Sequence, residues 1–342
     1  PYDFANQRDP FDRVVNMDFA GGRRTQMEVA MSGRSGRHHW AGGFEISDVW
    51  KRYLFNWDRA VNVDKNFPQR TSGIFLEDEW KLRPNLAVSA GIRWDDMDDE
   101  GRFANPRYAL VWHPYPKSSL KIMHGNAFRL PNTYERYFVD PVTKTSEAVD
   151  AERTTTTEVI FEREHHGGFS THLSGYQYRL TNLLSQQLDP ADDMLVYVGD
   201  PLVRGRALEI GVEKRWEPSK WVRANVSWHR TWYANSGQNL VNSVSRLGRL
   251  HAMTPLLQHR FFAGLELLAC SERQTVLGTQ APAYVKTNLT LTRPMKHLGV
   301  DLSLSVYNLF DVKIYDGAST EHAMDVIRQD GRLFRLRAEY SF

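Results

Sequence analysis

Apolar and polar side chains alternate with a period of two over segments of about ten residues, the length a tilted strand needs to cross hydrocarbon. In residues 86–95, Leu86, Val88, Ala90, Ile92 and Trp94 fall on one face, while Ala87, Ser89, Gly91, Arg93 and Asp95 fall on the other. The first face suits lipid and the second suits water. Val300, Leu302, Leu304 and Val306 alternate in the same way with Asp301, Ser303, Ser305 and Tyr307. Phe334, Leu336, Ala338, Tyr340 and Phe342 alternate with Arg335, Arg337, Glu339 and Ser341. Leu208, Ile210 and Val212 oppose Glu209 and Glu213, and Val222, Ala224, Val226 and Trp228 oppose Arg223, Asn225, Ser227 and His229. The face carrying Ile74, Leu76, Trp80 and Leu82 is interrupted by Asp78, and residues 243–253 barely alternate. Apolar residues in these windows do not recur at helical spacing, and β-branched and aromatic residues are frequent, so strands are expected throughout.

The connections alternate between tight and long, as short periplasmic turns and longer external loops require in a bacterial barrel. Tight reversals are expected at residues 83–85, 114–118, 165–168, 218–220, 255–258 and 293–298, where Pro and Gly set backbone angles without needing a ladder donor. Long loops are expected at 51–70, 96–105, 129–152, 179–204, 233–242, 271–282 and 309–332. This spacing implies roughly fifteen strands, the last running from the cell surface down to Phe342. An odd, open sheet would leave two unpaired edges in lipid, where each orphan backbone group costs several kcal/mol. Further strands are therefore expected before Pro1, the more so because no initiating Met or signal peptide is present.

Composition removes other classes. Residues 1–342 contain no linker, charge block or low-complexity run, so they read as one domain. The net charge of +2 is spread evenly, so no basic face announces a nucleic-acid partner. Cys270 is the single cysteine, which leaves no disulfide framework or thiolate cage and reads as a small strand residue. Residues 261–270 form the best apolar run, far short of a membrane helix and interrupted by Glu266. Aromatics reach 12% and many Trp and Tyr sit near segment ends, where a bilayer interface would hold them. The acidic run 95–100 lacks the spacing of a calcium loop and reads as a solvated external loop. The pairs His38-His39 and His165-His166 point to opposite faces of a strand and read as turn or surface residues, so no metal site is expected. No zincin, serine-elbow or phosphate-loop motif occurs, and neither catalysis nor a cofactor is expected.

The C-terminal part resembles a known family. Val306-Tyr307-Asn308-Leu309-Phe310-Asp311, followed by Tyr315, is similar to the signature that ends the penultimate strand of TonB-dependent receptors. Residues 336–342 resemble their final strand, in which Tyr340 and the terminal aromatic Phe342 would be read by the barrel assembly machinery. Gly125-Asn126-Ala127-Phe128-Arg129-Leu130-Pro131-Asn132-Thr133-Tyr134-Glu135 is similar to the family's segment leading into an external loop, with Leu130 where Ala is usual. Residues 72–80 with 86–94, and 178–184 with 205–212, resemble two of its hairpins. The segment 7–12 resembles an external loop of some members.

The resemblance implies an all-β, transmembrane antiparallel barrel, of which this chain holds roughly fifteen of about 22 strands, without the plug domain and TonB box. It implies an outer-membrane transporter that imports a scarce nutrient such as a ferric siderophore or similar chelate. Its partners would be TonB with the inner-membrane energising complex, the barrel assembly machinery, and lipopolysaccharide with outer-membrane lipid. The alternative is a passive, porin-like channel, distinguished by a signal peptide followed at once by strands. A secreted β-sandwich would instead bury the lipid-type stripes in a core and stay soluble without detergent. For ligand capture, Arg93, Arg129, Tyr134, Arg179, Tyr197, Trp232 and Tyr233 lie in or beside expected loops, where guanidinium and aromatic groups can hold an anionic, aromatic chelate. An interfacial girdle would use the same residue types.

Overall fold

A computed structural model describes residues 2–5, 13–98, 100–146, 149–319 and 322–340. Among them are fifteen strands of eight or more residues. In chain order these are β1 (Arg13–Ser35), β2 (His38–Trp57), β3 (Gln69–Arg83), β4 (Leu86–Met97), β5 (Gly101–Trp112), β6 (Ser118–Arg129), β7 (Glu152–His165) and β8 (Phe169–Thr181). They continue as β9 (Val203–Glu217), β10 (Lys220–Tyr233), β11 (Arg246–Leu256), β12 (Phe261–Cys270), β13 (Tyr284–Met295), β14 (Val300–Tyr307) and β15 (Leu333–Tyr340). No helix among the described residues is long and apolar enough to cross a membrane. The chain divides into two compact units, one of residues 1–111, 123–157 and 178–203, the other of 112–122, 158–177 and 204–342.

In the first unit β1, β2, β3 and β4 pair successively in antiparallel register, from Ser35↔His38 through His38↔Trp80 to Trp80↔Val88. The alternation read from the sequence becomes a physical two-sidedness. Ile74 and Leu76 are 62% and 61% exposed, and Ile92 and Trp94 lie exposed on the same side. An apolar band so open would be untenable in water and is expected against acyl chains. The opposite side is closed by polar pairing: Arg93 Nη2 lies 3.0 Å from Glu45 Oε2, Arg93 Nε lies 2.8 Å from Asp95 Oδ1, and Arg107 pairs with Glu77. Asp78, the interruption in the apolar face, is met across the ladder by His38, whose Nδ1 lies 2.7 Å from Asp78 Oδ2. The His38 ring stacks on Trp80 at 5.5 Å, so the contact to Asp78 Oδ2 lies within an aromatic patch.

Two expected loops are strand instead. Most of the span 51–70 is ladder: β2 continues to Trp57 because β1 offers it a partner as far as Met17↔Trp57, and Val61–Asn66 then folds back on β2. A buried amide pair fixes the end of this tall hairpin, with Asn56 Nδ2 donating to Asn16 Oδ1 at 2.9 Å and Asn62 Nδ2 donating to Asn56 Oδ1 at 2.6 Å. The span 96–105 shrinks to the few residues between Met97 and Gly101. Part of its acidic run is paired, with Asp95 meeting Arg93 and Glu100 meeting Arg136, while Asp96, 3.1 Å from Arg102 Nε, and Asp98 stay exposed as a solvated loop would have them. No group of carboxylates, His or Cys suited to a metal ion occurs among the described residues.

In the second unit β10 to β15 form one antiparallel succession. Leu291, Leu304 and Leu336 stand side by side across β13, β14 and β15, with Leu336 75% exposed. The other side carries hydroxyl and carboxylate pairs such as Thr290–Ser305 at 2.9 Å, Thr292–Ser303 at 3.0 Å and Asn288 Nδ2 donating to Glu266 at 3.0 Å. The turn between β7 and β8 needs its glycines. Gly167 and Gly168 have φ of 68° and 74°, and a Cβ on Gly168 would run into the backbone oxygen of Arg215. Two reversals fall later than their prolines suggest: Pro255 and Pro294 stay in the ladder, opposite Phe262 and Asp301. A proline can do this where no ladder donor is required of it. The reversal after β11 is made by Leu257, Gln258 and His259, all at positive φ.

Candidate functional site

Within each unit the long loops leave the strand ends opposite the tight turns. In the first unit, loop residues 130–151 and 182–202 have a small core of their own, formed by Phe138, Val149, Ala151 and Leu195. The loop leaving β6 is steered by a short helix, α1 (Thr133–Tyr137), whose capping box explains its start. Glu135 N donates to Asn132 Oδ1 at 2.9 Å, and Asn132 N donates to Glu135 Oε2 at 2.8 Å. The same carboxylate receives Arg129 Nη1 at 2.8 Å, while Arg129 Nε donates to Glu152 Oε2 at 2.7 Å. Glu152 Oε1 in turn accepts Leu184 N at 2.8 Å, so Arg129 ties both loops to the strand ends.

Tyr134 rests on Phe138 with ring centroids 4.1 Å apart and meets Tyr197 edge-on at 6.5 Å. Tyr197 belongs to a small hairpin, Leu183–Leu188 with Leu195–Asp200, and its N–H donates to Ser146 Oγ at 2.7 Å. Leu195 N donates to Val142 O at 2.7 Å and Lys144 N donates to Leu195 O at 2.9 Å, a parallel bridge between the loops. Lys144 Nζ sits between Asp189 and Asp192. Hydrogen bonding to those carboxylates raises the Lys144 pKa, and the ammonium lowers both aspartates.

The second unit's loops are bound by side chains that cap backbone. Asn308, only 1% exposed, has φ of 50°, and its Oδ1 accepts Val312 N while its Nδ2 donates to Val312 O, both at 2.9 Å. Asp311 Oδ1 accepts Arg332 N at 2.8 Å, so the Asn308-Leu309-Phe310-Asp311 signature is a turn that staples both ends of the last long loop. Asp325 accepts Thr275 Oγ1 at 2.6 Å, Leu277 N at 3.1 Å and Thr279 Oγ1, and these hydroxyl bonds lower its pKa. Arg273 pairs with Asp316, and Asn242 Nδ2 donates to Ala318 O at 3.1 Å. A Cβ on Gly317 would collide with the Asn242 side chain, which is why the loop passes there as glycine.

Of the residues singled out from the sequence, Arg129, Tyr134 and Tyr197 share the first unit's loop cluster. Arg93 is engaged on the water side of β4. Arg179 is exposed near the end of β8. Trp232 shares the parity of the exposed Val226 and Trp228, on the side opposite His229, with Arg230 and Arg206 over its ring at 5.0 and 5.7 Å. Tyr233 starts a turn, donating N–H to Gln238 O at 2.9 Å and accepting Gly237 N at 2.8 Å. Tyr340 ends β15 in the open, and Phe342 and segment 7–12 lie outside the described residues. Lys144, Asn242, Arg273 and Asp325 were not anticipated; the density of Asn, Asp and Thr in these loops was the available signal. A cavity of about 930 Å³ in the second unit opens at the tight-turn end, lined by Glu162, His172, Glu209, Glu213 and Arg223 among others, away from the loops. Its polar wall is knit by Lys121–Glu162 at 2.8 Å and Arg223–Glu213 at 2.5 Å.

Residues 2–309 match the family model described as TonB dependent receptor-like, beta-barrel. A curated relative, the vitamin B12 transporter BtuB of Vibrio cholerae, is 26% identical over 152 residues, covering 42% of this chain and 24% of the relative. A mutant of the ferric enterobactin receptor PfeA of Pseudomonas aeruginosa superposes with TM-score 0.75 at 16% identity, over 97% of this chain and 54% of that one. The copper transporter OprC superposes with TM-score 0.77 at 12% identity, over 98% and 58%. The chain thus spans about a quarter of the B12 transporter and little more than half of the solved receptors.

Proposed function

This chain belongs to the TonB-dependent receptor-like β-barrel family, and from that premise we propose that it is the wall of an outer-membrane transporter importing a ferric siderophore or similar metal chelate. Membership of that family, and likeness to proteins named as transporters and receptors, support a role in receiving or moving a ligand at the outer membrane. The observation that carries the substrate class is the loop cluster where Tyr134, 41% exposed, leans on Phe138 and Tyr197 beside Arg129. Arg129 is neutralised by Glu135 and Glu152, so the contact offered to a ligand is chiefly ring surface, suited to a flat aromatic chelate. Relatives named for ferric enterobactin, copper and vitamin B12 span the alternatives.

Energy would come from TonB acting on segments outside this chain, and assembly would use the end of β15, with Tyr340 and Phe342, as its recognition strand. The test is uptake of radiolabelled iron, supplied as a tris-catecholate, by cells whose only receptor is the full-length protein. Uptake is expected to vanish without TonB and to weaken roughly tenfold in apparent affinity, about 1.4 kcal/mol, for Tyr134→Ala. Uptake indifferent to TonB would support the passive channel instead. Cobalamin uptake without iron uptake would overturn the substrate.

A further inference from the structure

The helix α1 is little more than one turn long, well short of what holds together alone, so its attitude is set by what it packs against. Polar ties fix both of its ends. The capping box and Arg129 hold the start, and at the finish Arg136 pairs with Glu100, both largely buried, while Arg136 Nη2 donates to Val149 O at 2.7 Å. Rotation about the axis is opposed by rings. Tyr134 meets Tyr197 edge-on, and the Tyr137 ring lies flat on Phe67, with centroids 4.0 Å apart and planes 8° from parallel. Tyr134 and Tyr137, at i and i+3, share one side of the helix, so a turn of one carries the other with it.

Phe67 lies in the span 51–70, expected as loop and found mostly as ladder. It follows Val61–Asn66 and precedes Pro68, which confines its backbone to extended angles. Arg52, on the part of β2 that rises beyond the last β2–β3 pair at Val49↔Gln69, pins that backbone twice. Its O accepts Phe67 N at 3.0 Å, and its Nε donates to Phe67 O at 2.9 Å. A further bond from Arg52 Nη1 to Gln69 Oε1, at 2.9 Å, fixes the guanidinium itself. Each ring of the stack also carries a cation over its face, Lys65 Nζ at 5.3 Å from the Phe67 centroid and Arg136 Cζ at 6.0 Å from that of Tyr137. Phe67 is thus the anchored member of the stack, and α1 is the member that can turn.

We propose that Phe67 is a positioning residue: through Tyr137 it sets the attitude of α1, and so the ring face that Tyr134 turns to an incoming flat aromatic ligand. The tall β1–β2 hairpin then has a task beyond the wall, since Arg52 at its upper end holds Phe67 in place for a helix on another loop. Its bearing on affinity rests on the ring site proposed above; its bearing on α1 does not.

Uptake of radiolabelled ferric tris-catecholate by cells carrying the full-length receptor, normalised to receptor abundance, tests the first, and hydrogen exchange of the ligand-free receptor in nanodiscs tests the second. Phe67→Ala is expected to raise the concentration for half-maximal uptake about tenfold, as Tyr134→Ala does, with the maximal rate per receptor unchanged. The double variant should stay within about threefold of either single one, because both remove the same ring contact. Phe67→Tyr keeps the stack and should stay within about threefold of wild type. Without ligand, Phe67→Ala should speed exchange of the Phe138 N–H, which donates to Tyr134 O at 3.1 Å, by about tenfold. Tyr53→Phe, which removes a bond to Asp64 on the opposite face of the same hairpin, should alter neither readout. Penalties that multiply in the double variant, a fall in maximal rate with affinity unchanged, a Tyr53→Phe effect equal to that of Phe67→Ala, or unchanged exchange at Phe138 would each overturn the proposal. If wild-type cells take up no catecholate while exchange at Phe138 still responds to Phe67, the substrate reading falls and the hold on α1 stands.

Discussion

Asn308 should be the most sensitive single position in the last long loop. Its carboxamide makes two hydrogen bonds to the backbone of Val312, each 2.9 Å long, from a site 1% exposed, and its backbone stands at φ 50°. Replacing it by Ala removes both bonds and leaves the Val312 N–H and C=O without that partner, at about 1 kcal/mol each because Val312 is only half-buried. A left-handed backbone adds about 1 kcal/mol for Ala, so Asn308→Ala should cost about 3 kcal/mol. Glycine accepts the angle freely, and Asn308→Gly should cost about 2 kcal/mol. Hydrogen exchange of the full-length receptor in nanodiscs would read the loss as faster exchange at Val312, more than a hundredfold for Ala and near thirtyfold for Gly. If both variants exchange within threefold of wild type, the signature turn does not depend on this side chain and the account of it is wrong.

Leu304→Arg, between Leu291 and Leu336, should cost about 2–4 kcal/mol if it faces the mid-membrane, and an unchanged unfolding midpoint in bilayers would contradict that orientation. The two loop clasps should both weaken in acid, where Asp325, Asp189 and Asp192 protonate, and only the Lys144 clasp should also fail in alkali. Asp325 is held below its usual value of 3.8, so its contribution is complete above that value and is lost as pH falls through the lowered one. Lys144 is held above 10.5, so its contribution is complete below that value and is lost as pH rises further. Limited proteolysis should therefore open residues 271–282 in acid alone and 182–202 both in acid and in strong alkali, and Asp325→Ala should remove the acid response of 271–282; opening of 271–282 in alkali, or of neither segment, would refute this. Deleting Phe342 should slow assembly, which pulse labelling of outer-membrane receptor would detect, and normal abundance would count against its role as a recognition residue.

Much of the wall was legible because one rule generates it. A strand with lipid on one side and water on the other must alternate, and Leu86 to Met97 and Val300 to Tyr307 do so without exception that matters. The alternation is blind to length beyond the membrane, which is why β2 was cut short: its outer half pairs with β1 through backbone bonds and an Asn16–Asn56 amide pair that leave no periodic trace. The acidic run 95–100 was legible only as an exposed loop, since of its partners Arg93, Arg102 and Arg136 one lies more than thirty residues away. The loop clasps were hidden because Lys144 with Asp189, or Asp325 with Thr275, are joined by geometry across some fifty residues, and no local pattern records that.

The bridge between loops 130–151 and 182–202 sets how they can open. Val142–Leu195, Lys144–Leu195, Ser146–Tyr197 and the Lys144 ammonium with its two aspartates all sit within a few residues of one another on two short stretches. Removing any one leaves the others holding the same pair of segments, so separation is cooperative, and the two flaps have one shared opening rate rather than two independent ones. The amides of Lys144 and Leu195 should therefore exchange in step, as parts of one opening unit.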